Sequence, residues 1–310
     1  MILTVTLNAA LDVTYTVERL HPHRTHRVQQ VRQRAGGKGI NVARVLRALG
    51  QPTVVTGLAG GRTGEAIRED LAVAGLPDEL VPVAGESRRT VAVVSTQDGD
   101  ATLFNEPGPR ITETEWQRFL DRFVELATTA EVVVLSGSLP PGVPDDGYAH
   151  LVRIAAGLGS RTIVDAEGEP LRRAVAAGPD LVKPNAAELR ATTGLDDPLD
   201  AAHRLRLAGA RAVVVSLGAD GLLAVDDEIW RAEPPEQLYG NPTGAGDACV
   251  AALATGLRGG TGWPELLRAA TALSAAAVRC PLAGEFDEPT RRDLHTRVRV
   301  QQVDRTVSLP

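Results

Sequence analysis

Two short stretches of the chain hold residues from which chemistry could be built. The first is Asn241-Pro242-Thr243-Gly244-Ala245-Gly246-Asp247, followed at once by the apolar run Ala248 to Leu253. Two glycines one residue apart, a carboxylate and then a helix-forming segment describe a tight turn that delivers an acid onto a helix N-terminus. The first amides of a helix lack intrahelical partners and lie at the positive end of its dipole. An anion is favoured there, and Gly244 and Gly246 remove the side chains that would hold it away. Asp247 would repel a phosphate if it served as a ligand. It suits a base poised beside a phosphate whose charge the amides absorb. The plainer reading of the same residues is an N-cap aspartate after a glycine-rich turn.

The second stretch runs from Arg34 to Gly50. Val42, Val45, Leu46 and Leu49 recur at i, i+3, i+4 and i+7, which predicts a helix ending at a C′ glycine, Gly50. Its start is Gly36, Gly37 and Gly39 around Lys38. The lysine is followed by glycine rather than Ser or Thr, so this is no Walker A loop, and the spacing is not that of a dinucleotide fingerprint. Backbone amides, Lys38 and Asn41 could meet hydroxyls or a phosphate there. A flexible turn with a solvated lysine is the alternative. Of 33 basic residues only Lys38 and Lys183 are lysines. Both are point charges in Gly- or Pro-marked stretches beside strand ends, where open α/β sheets hold ligands.

The elements that must position these groups read as alternating strands and helices. Ile2 to Leu7 is a buried parallel strand, with Asp12 beyond its carboxyl end. Further apolar strands end in polar or glycine residues: Val132 to Leu135 in Ser136-Gly137-Ser138, Thr162 to Val164 in Asp165, Leu181-Val182 in Lys183-Pro184-Asn185, and Ala212 to Val215 in Ser216 to Gly221. Such a series, with helices between, predicts a doubly wound, mostly parallel sheet with its site along that edge. Residues Val13 to Val17, Val28 to Arg32, Thr90 to Gln97 and Ala101 to Asn105 do not continue the buried pattern. The last two join across Asp98-Gly99, a hairpin signal. Together these pieces predict a small projecting sheet over 12–35 and 88–106, a lid on a core of 1–11, 36–87 and 107–310. Residues Pro289 to Val300 read as a closing amphipathic helix.

Composition bounds the rest. At 310 residues, 43% hydrophobic and 23% charged, the chain is long enough for a large α/β domain. Aromatic content of 3% and a net charge of −6 speak against nucleic acid or an anionic membrane as partner. Cys249 and Cys280 lack metal-site spacing and read as core thiols in a reducing compartment. With no signal segment and no run of about 18 apolar residues, a cytoplasmic protein is expected.

Ala35-Gly36-Gly37-Lys38-Gly39-Ile40-Asn41-Val42-Ala43, Lys183-Pro184-Asn185 through Glu188, and Asn241 to Asp247, in this order, resemble the signatures of the PfkB (ribokinase-like) family of sugar kinases. The resemblance extends along nearly the whole chain. Asn8 to Asp12, Asn105 to Pro109 and Ser136 to Gly142 resemble in particular its 1-phosphofructokinase and tagatose-6-phosphate kinase branch. Arg89-Thr90 and Cys280 to Gly284 depart from that branch's usual pattern. The resemblance implies a three-layer α/β/α fold with a β-sheet lid, and ATP and Mg2+ as cofactors. It implies phosphorylation of a ketohexose monophosphate, fructose 1-phosphate to fructose 1,6-bisphosphate foremost, with tagatose 6-phosphate or fructose 6-phosphate as alternatives. Asp247 would be the base, and Thr243, Gly244, Ala245 and Gly246 the anion hole. Asp12, Gly36, Gly37, Lys38, Asn41 and Asn105 would hold the sugar, and Arg88, Arg27 and Ser138 its phosphate. Lys183, Asn185, Ser216, Gly218 and Gly221 would face the nucleotide, and Glu188 and Asn185 the magnesium through water. A homodimer through the lid is implied as well. A non-catalytic sugar-phosphate sensor on the same scaffold is the reading from another class.

Overall fold

The computed structural model describes residues 1–97 and 101–303. The chain opens with β1 (Ile2–Thr6), leaves in β2 (Ala10–Val17) and returns along β3 (Gln30–Gly36) into α1 (Lys38–Ala48). Next come β4 (Thr53–Gly60), α2 (Gly61–Val73) and β5 (Asp78–Val83), then a second excursion, β6 (Arg88–Ser95) and β7 (Ala101–Asn105). After α3 (Glu113–Ala127) follow β8 (Val132–Ser136), α4 (Gly147–Gly157), β9 (Arg161–Asp165), α5 (Gly168–Ala176) and β10 (Leu181–Val182). Then come α6 (Ala186–Thr193), α7 (Pro198–Leu207), β11 (Val213–Ser216), β12 (Leu222–Val225) and β13 (Ile229–Glu233). The chain closes with α8 (Ala245–Gly259), α9 (Trp263–Val278), α10 (Glu288–Arg297) and β14 (Arg299–Gln302).

Ten strands form the main sheet in the order β14-β13-β12-β11-β10-β9-β8-β1-β4-β5. From β11 to β5 all neighbours are parallel, and β12, β13 and β14 add an antiparallel edge. The apolar runs alternate between two cores, as a pleated strand buried on both faces must. Val132 and Val134 face α1, α8 and α9, whereas Val133 and Leu135 face α3, α4 and α5. Successive strands run outward in both directions from β1 and β8, so the crevice at their carboxyl ends is a topological switch point.

The second sheet, β3-β2-β6-β7, is built from the two excursions. Its pairing begins at Ala10, opposite both Gly36 and Arg88, two residues before the lid boundary expected from the sequence. β6 and β7 pair antiparallel as expected, and the Asp98-Gly99 turn lies outside the described residues. The sequence left β5, β12, β13 and the last two residues of β14 unassigned. Residues 299–300, read as the end of a helix, instead pair with β13, because Val300 finds a strand partner in Ala232 and apolar cover. Cys249 is buried in α8, but Cys280 is only half-buried, because α9 stops at Val278. Among the described residues no helix is long and apolar enough to cross a membrane.

Candidate active site

Both glycine-lined stretches become helix N-termini at the switch point. Gly37, with φ +105°, is the N-cap of α1, and a Cβ there would sit 2.7 Å from Thr6 Cγ2 at the end of β1. A Cβ on Gly36 would fall on the Asp12 carboxylate, so the glycine lets that acid approach the backbone. Gly244, with φ +90°, is the N-cap of α8, and Asp247 lies in the first turn. The two starts meet directly: Asn41 Nδ2 donates to Asp247 Oδ2 at 2.9 Å. The Ala245 amide is taken by the Pro242 carbonyl at 3.2 Å. The amides of Gly246 and Asp247 have no acceptor among the described residues, which leaves two donors aimed out of a helix start.

A buried carboxylate that the sequence marked only as a strand end organises the charges. Asp165, the last residue of β9, is 1% exposed and faces Lys38 Nζ at 3.4 Å and Lys183 Nζ at 3.5 Å. Lys38 also faces Glu188 at 3.7 Å. Burial pulls both ammonium groups down, but the negative groups around them, Asp165 foremost and Glu188 among them, together outweigh it, and both stay above the ordinary lysine value. Asp247 moves the other way. Burial and the nearby Asp165 raise its pKa to about 7, against the opposing pull of Asn41, Lys38 and Lys183. Cys249 lies near Lys183, and burial pushes its thiol up to about 12, a packed group and not a nucleophile.

On the lid side a second polar cluster forms. Burial raises Asp12 to about 6, opposed by Arg88, by a hydrogen bond with Thr90 and by Arg34 and Arg44. Arg88 Nε donates to the Asn8 carbonyl at 3.0 Å and Nη1 to Thr90 Oγ1 at 3.2 Å. Asn8 Nδ2 in turn donates to Ser138 Oγ at 3.1 Å. Asp12, Arg88 and Ser138 therefore come together through Asn8 and Thr90, neither of which the sequence singled out as a site residue. Thr90, a departure from the branch pattern, has a place here as the link between Asp12 and Arg88. Arg27 does not join the cluster. It is exposed on the connection between β2 and β3. Asn105 pairs with Thr90 in register, but its side chain is exposed.

A model of the pfkB family carbohydrate kinases matches residues 3–291. The chain belongs to this family. Phosphofructokinase-2 from Escherichia coli, solved in complex with potassium, is 32% identical with a TM-score of 0.90, over 96% of this chain and 98% of that one. A possible 1-phosphofructokinase from Thermotoga maritima is 29% identical with a TM-score of 0.89, over 98% of this chain and 100% of that one. Arabidopsis thaliana ribokinase, at 22% identity and TM-score 0.77 over 95% of this chain and 98% of that one, shares the fold. The ribokinase-like architecture expected from the sequence is thus the one observed.

In this pfkB-family kinase the polar groups beneath the α8 start come from the carboxyl ends of β10 and β11. Lys183 is 3% exposed, and its Nζ would lie 3.6 Å from a Cβ on Gly246, directly under the turn of α8. Asn185 caps α6: its Oδ1 accepts from the Glu188 amide at 2.8 Å, and Glu188 Oε2 accepts from the Asn185 amide at 2.9 Å. Asn185 also bridges to Ser216 at the end of β11. Gly218 and Gly221 close the turn that follows, the Leu217 amide donating to the Gly221 carbonyl at 2.9 Å. Thr243 is exposed, and its amide donates to Asn241 Oδ1 at 3.0 Å.

A magnesium ion fits these residues in one manner only. The Asn185 carboxamide oxygen is committed to its cap, and one Glu188 oxygen is tied to the same box. The described residues hold no cluster of three or more His, Cys, Asp or Glu that could cage a metal. Glu188 Oε1 and Asp165 both face Lys38 and are the carboxylates at hand. Magnesium typically takes one or two carboxylates plus substrate phosphates and water, a demand this pair meets.

Proposed function

We propose that this kinase transfers the γ-phosphoryl group of ATP to a hydroxyl of a ketohexose monophosphate, with fructose 1-phosphate as acceptor and fructose 1,6-bisphosphate as product. The observation that carries this reading is a half-buried arginine, Arg88, in the same cluster as Asp12, together with a helix start whose Gly246 and Asp247 amides have no acceptor among the described residues. One phosphate would be held by Arg88 and Ser138 and the other by α8. The acceptor hydroxyl would sit between them, oriented by Asp12, Lys38 and Asn41.

Phosphoryl transfer needs positioning and charge stabilisation more than covalent help. Asp247 would accept the proton of the attacking hydroxyl, and a raised pKa near neutrality suits a base. Asn41 fixes the carboxylate's orientation. Lys38 and Lys183, held by Asp165, would neutralise charge developing on the transferred group. Magnesium, held by Glu188 and Asp165 with phosphate oxygens and water, would supply further neutralisation of the nucleotide. The lid would exclude water that would otherwise compete as acceptor.

Fructose 6-phosphate is a second reading, supported by the structure of Escherichia coli phosphofructokinase-2 with fructose-6-phosphate, 32% identical over 96% of this chain. A homodimer through the lid is supported by Val31, Leu103 and Phe104, apolar lid residues 53%, 51% and 56% exposed. Phosphofructokinase-2 itself has a tetrameric inhibited form. A coupled ADP-release assay across fructose 1-phosphate, fructose 6-phosphate, tagatose 6-phosphate and ribose tests the substrate. Highest kcat/KM with fructose 1-phosphate is expected. Turnover of ribose alone would remove the sugar-phosphate reading, and no turnover of any sugar would favour a sensor.

A further inference from the structure

We propose that Arg34 is a positioning residue that couples the acceptor side of the site to the anion hole, through the loop Ala283–Glu285. The proposal rests on the kinase reading above, but its parts are visible without it. Arg34 lies on β3 directly opposite Asp12 in the lid register. Its Nη1 donates to the Ala283 carbonyl at 3.2 Å and to Glu285 Oε1 at 2.9 Å. These partners lie 249 and 251 residues away along the chain, in the loop against which the α8 start is seated.

The loop that Arg34 grips touches the anion hole. Ala283 Cα lies 2.7 Å, and the Gly284 amide nitrogen 3.3 Å, from where a Cβ on Gly244 would be. The N-cap of α8 is therefore seated against residues 283–284, with no room for a side chain between. A second strut runs alongside. Asp70 accepts from the Ala35 amide at 2.9 Å and pairs with Arg44, and Arg44 Cδ lies 3.0 Å from a Cβ position on Gly284. The carboxyl end of β3 and the loop are thus joined twice, by side chains that are 20% (Arg34) and 7% (Arg44) exposed.

A surface ion pair would have little effect here. This contact differs because one guanidinium nitrogen holds both a main-chain carbonyl and a carboxylate, and its two N–H bonds, fixed in the guanidinium plane, set the loop's position along with its charge. When a sugar phosphate settles on Asp12 and Arg88, the neighbouring β3 strand is ordered, and Arg34 carries that order to residues 283–285. The backing of Gly244 is then set, and with it the amides of Gly246 and Asp247. Such coupling is reciprocal: each substrate tightens the other.

The test measures affinity of the full-length enzyme for a magnesium-bound, non-hydrolysable ATP analogue, with and without saturating fructose 1-phosphate or fructose 6-phosphate. In the wild type the sugar phosphate is expected to tighten analogue binding by about 10-fold. Arg34→Ala should reduce that factor to within about 2-fold of unity while changing the affinity for either ligand alone by less than about 3-fold. Arg34→Lys, which keeps the charge without the fork, should restore part of it, and Glu285→Gln should leave an intermediate value. An Arg34→Ala enzyme with the wild-type factor overturns the proposal, as does a wild type that binds the sugar phosphate yet has no factor to lose. Hydrogen exchange in the ligand-free enzyme separates the latch from the substrate assignment. Arg34→Ala should speed exchange at residues 244–247 and 281–285, and unchanged exchange there overturns the latch whatever the substrate. A wild type that binds neither sugar phosphate overturns the substrate reading alone.

Discussion

The two glycine-lined helix starts look alike in sequence and differ in what stands behind them. Gly37 is pressed against Thr6 at the end of β1, in the middle of the main sheet. Gly244 is pressed against Ala283 and Gly284, a loop between α9 and α10 that is pinned from the lid by Arg34. The α1 start has the rigidity of a close-packed core. The α8 start has only the rigidity of its loop, which would suit the side proposed to admit and release a nucleotide. Similar local chemistry can thus be preformed on one side of a cleft and adjustable on the other.

The largest effect is expected where the two starts meet. Asp247→Asn should lower kcat by at least about 100-fold, the low end for a lost general base, with affinity for the ATP analogue kept. Near-normal turnover would mean that the meeting of Asn41 and Asp247 is structural only. Next, Arg88→Ala should raise KM for the sugar phosphate by about 10- to 100-fold with a smaller change in kcat, as expected when a charged hydrogen bond to a bound phosphate is lost. An unchanged KM would make Arg88 a support for Asn8 and Thr90.

The contrast between the starts is sharpened by a matched pair of substitutions. Gly37→Ala forces a side chain into a positive-φ position against Thr6, and should lower stability by about 1–3 kcal/mol in denaturant unfolding. Gly244→Ala meets a loop that can shift, and should lower kcat/KM for ATP by about 10-fold with less loss of stability. Equal stability losses would erase the distinction.

The smallest effect is on stability and has a definite sign. Asp247 has an ordinary value of 3.8 and a folded value of about 7, so the folded chain keeps a proton that the unfolded chain releases. Between these values stability falls as pH rises, because the native state binds more protons. Replacing the acid with Asn should therefore raise stability at pH 8 by roughly 1–3 kcal/mol, given that each tenfold change in proton affinity corresponds to about 1.4 kcal/mol. A variant less stable than wild type at pH 8 would contradict the burial of an ionising carboxylate.

Much of this site was legible in the chain because local rules demand glycine, lysine and acid in a fixed order at a helix start. The strand ends were legible too, since a buried parallel strand reads as a continuous apolar run. What the sequence hid was set by pairing at a distance. Asp165 looked like any acid after a short strand, and only the fold brings Lys38 and Lys183 to it from 127 and 18 residues away. Thr90 acquires its role from the lid register and Asn8 from the turn that joins β1 to the lid, neither of which a local pattern encodes. Arg34 stood just outside the signature Ala35 to Ala43, and its partner loop lies near the other end of the chain. Likewise β14 forms because β13 offers an open edge, overriding the helical spacing of Pro289 to Val300.

The most direct measurement is the pH dependence of kcat at saturating magnesium-ATP and ketohexose phosphate. The expected result is a one-proton rise with midpoint near the value of about 7 held by Asp247, absent from the Asp247→Asn enzyme. A wild-type profile flat from about pH 5.5 to 8.5, or the same rise in the variant, would mean that the proton is taken by some other group.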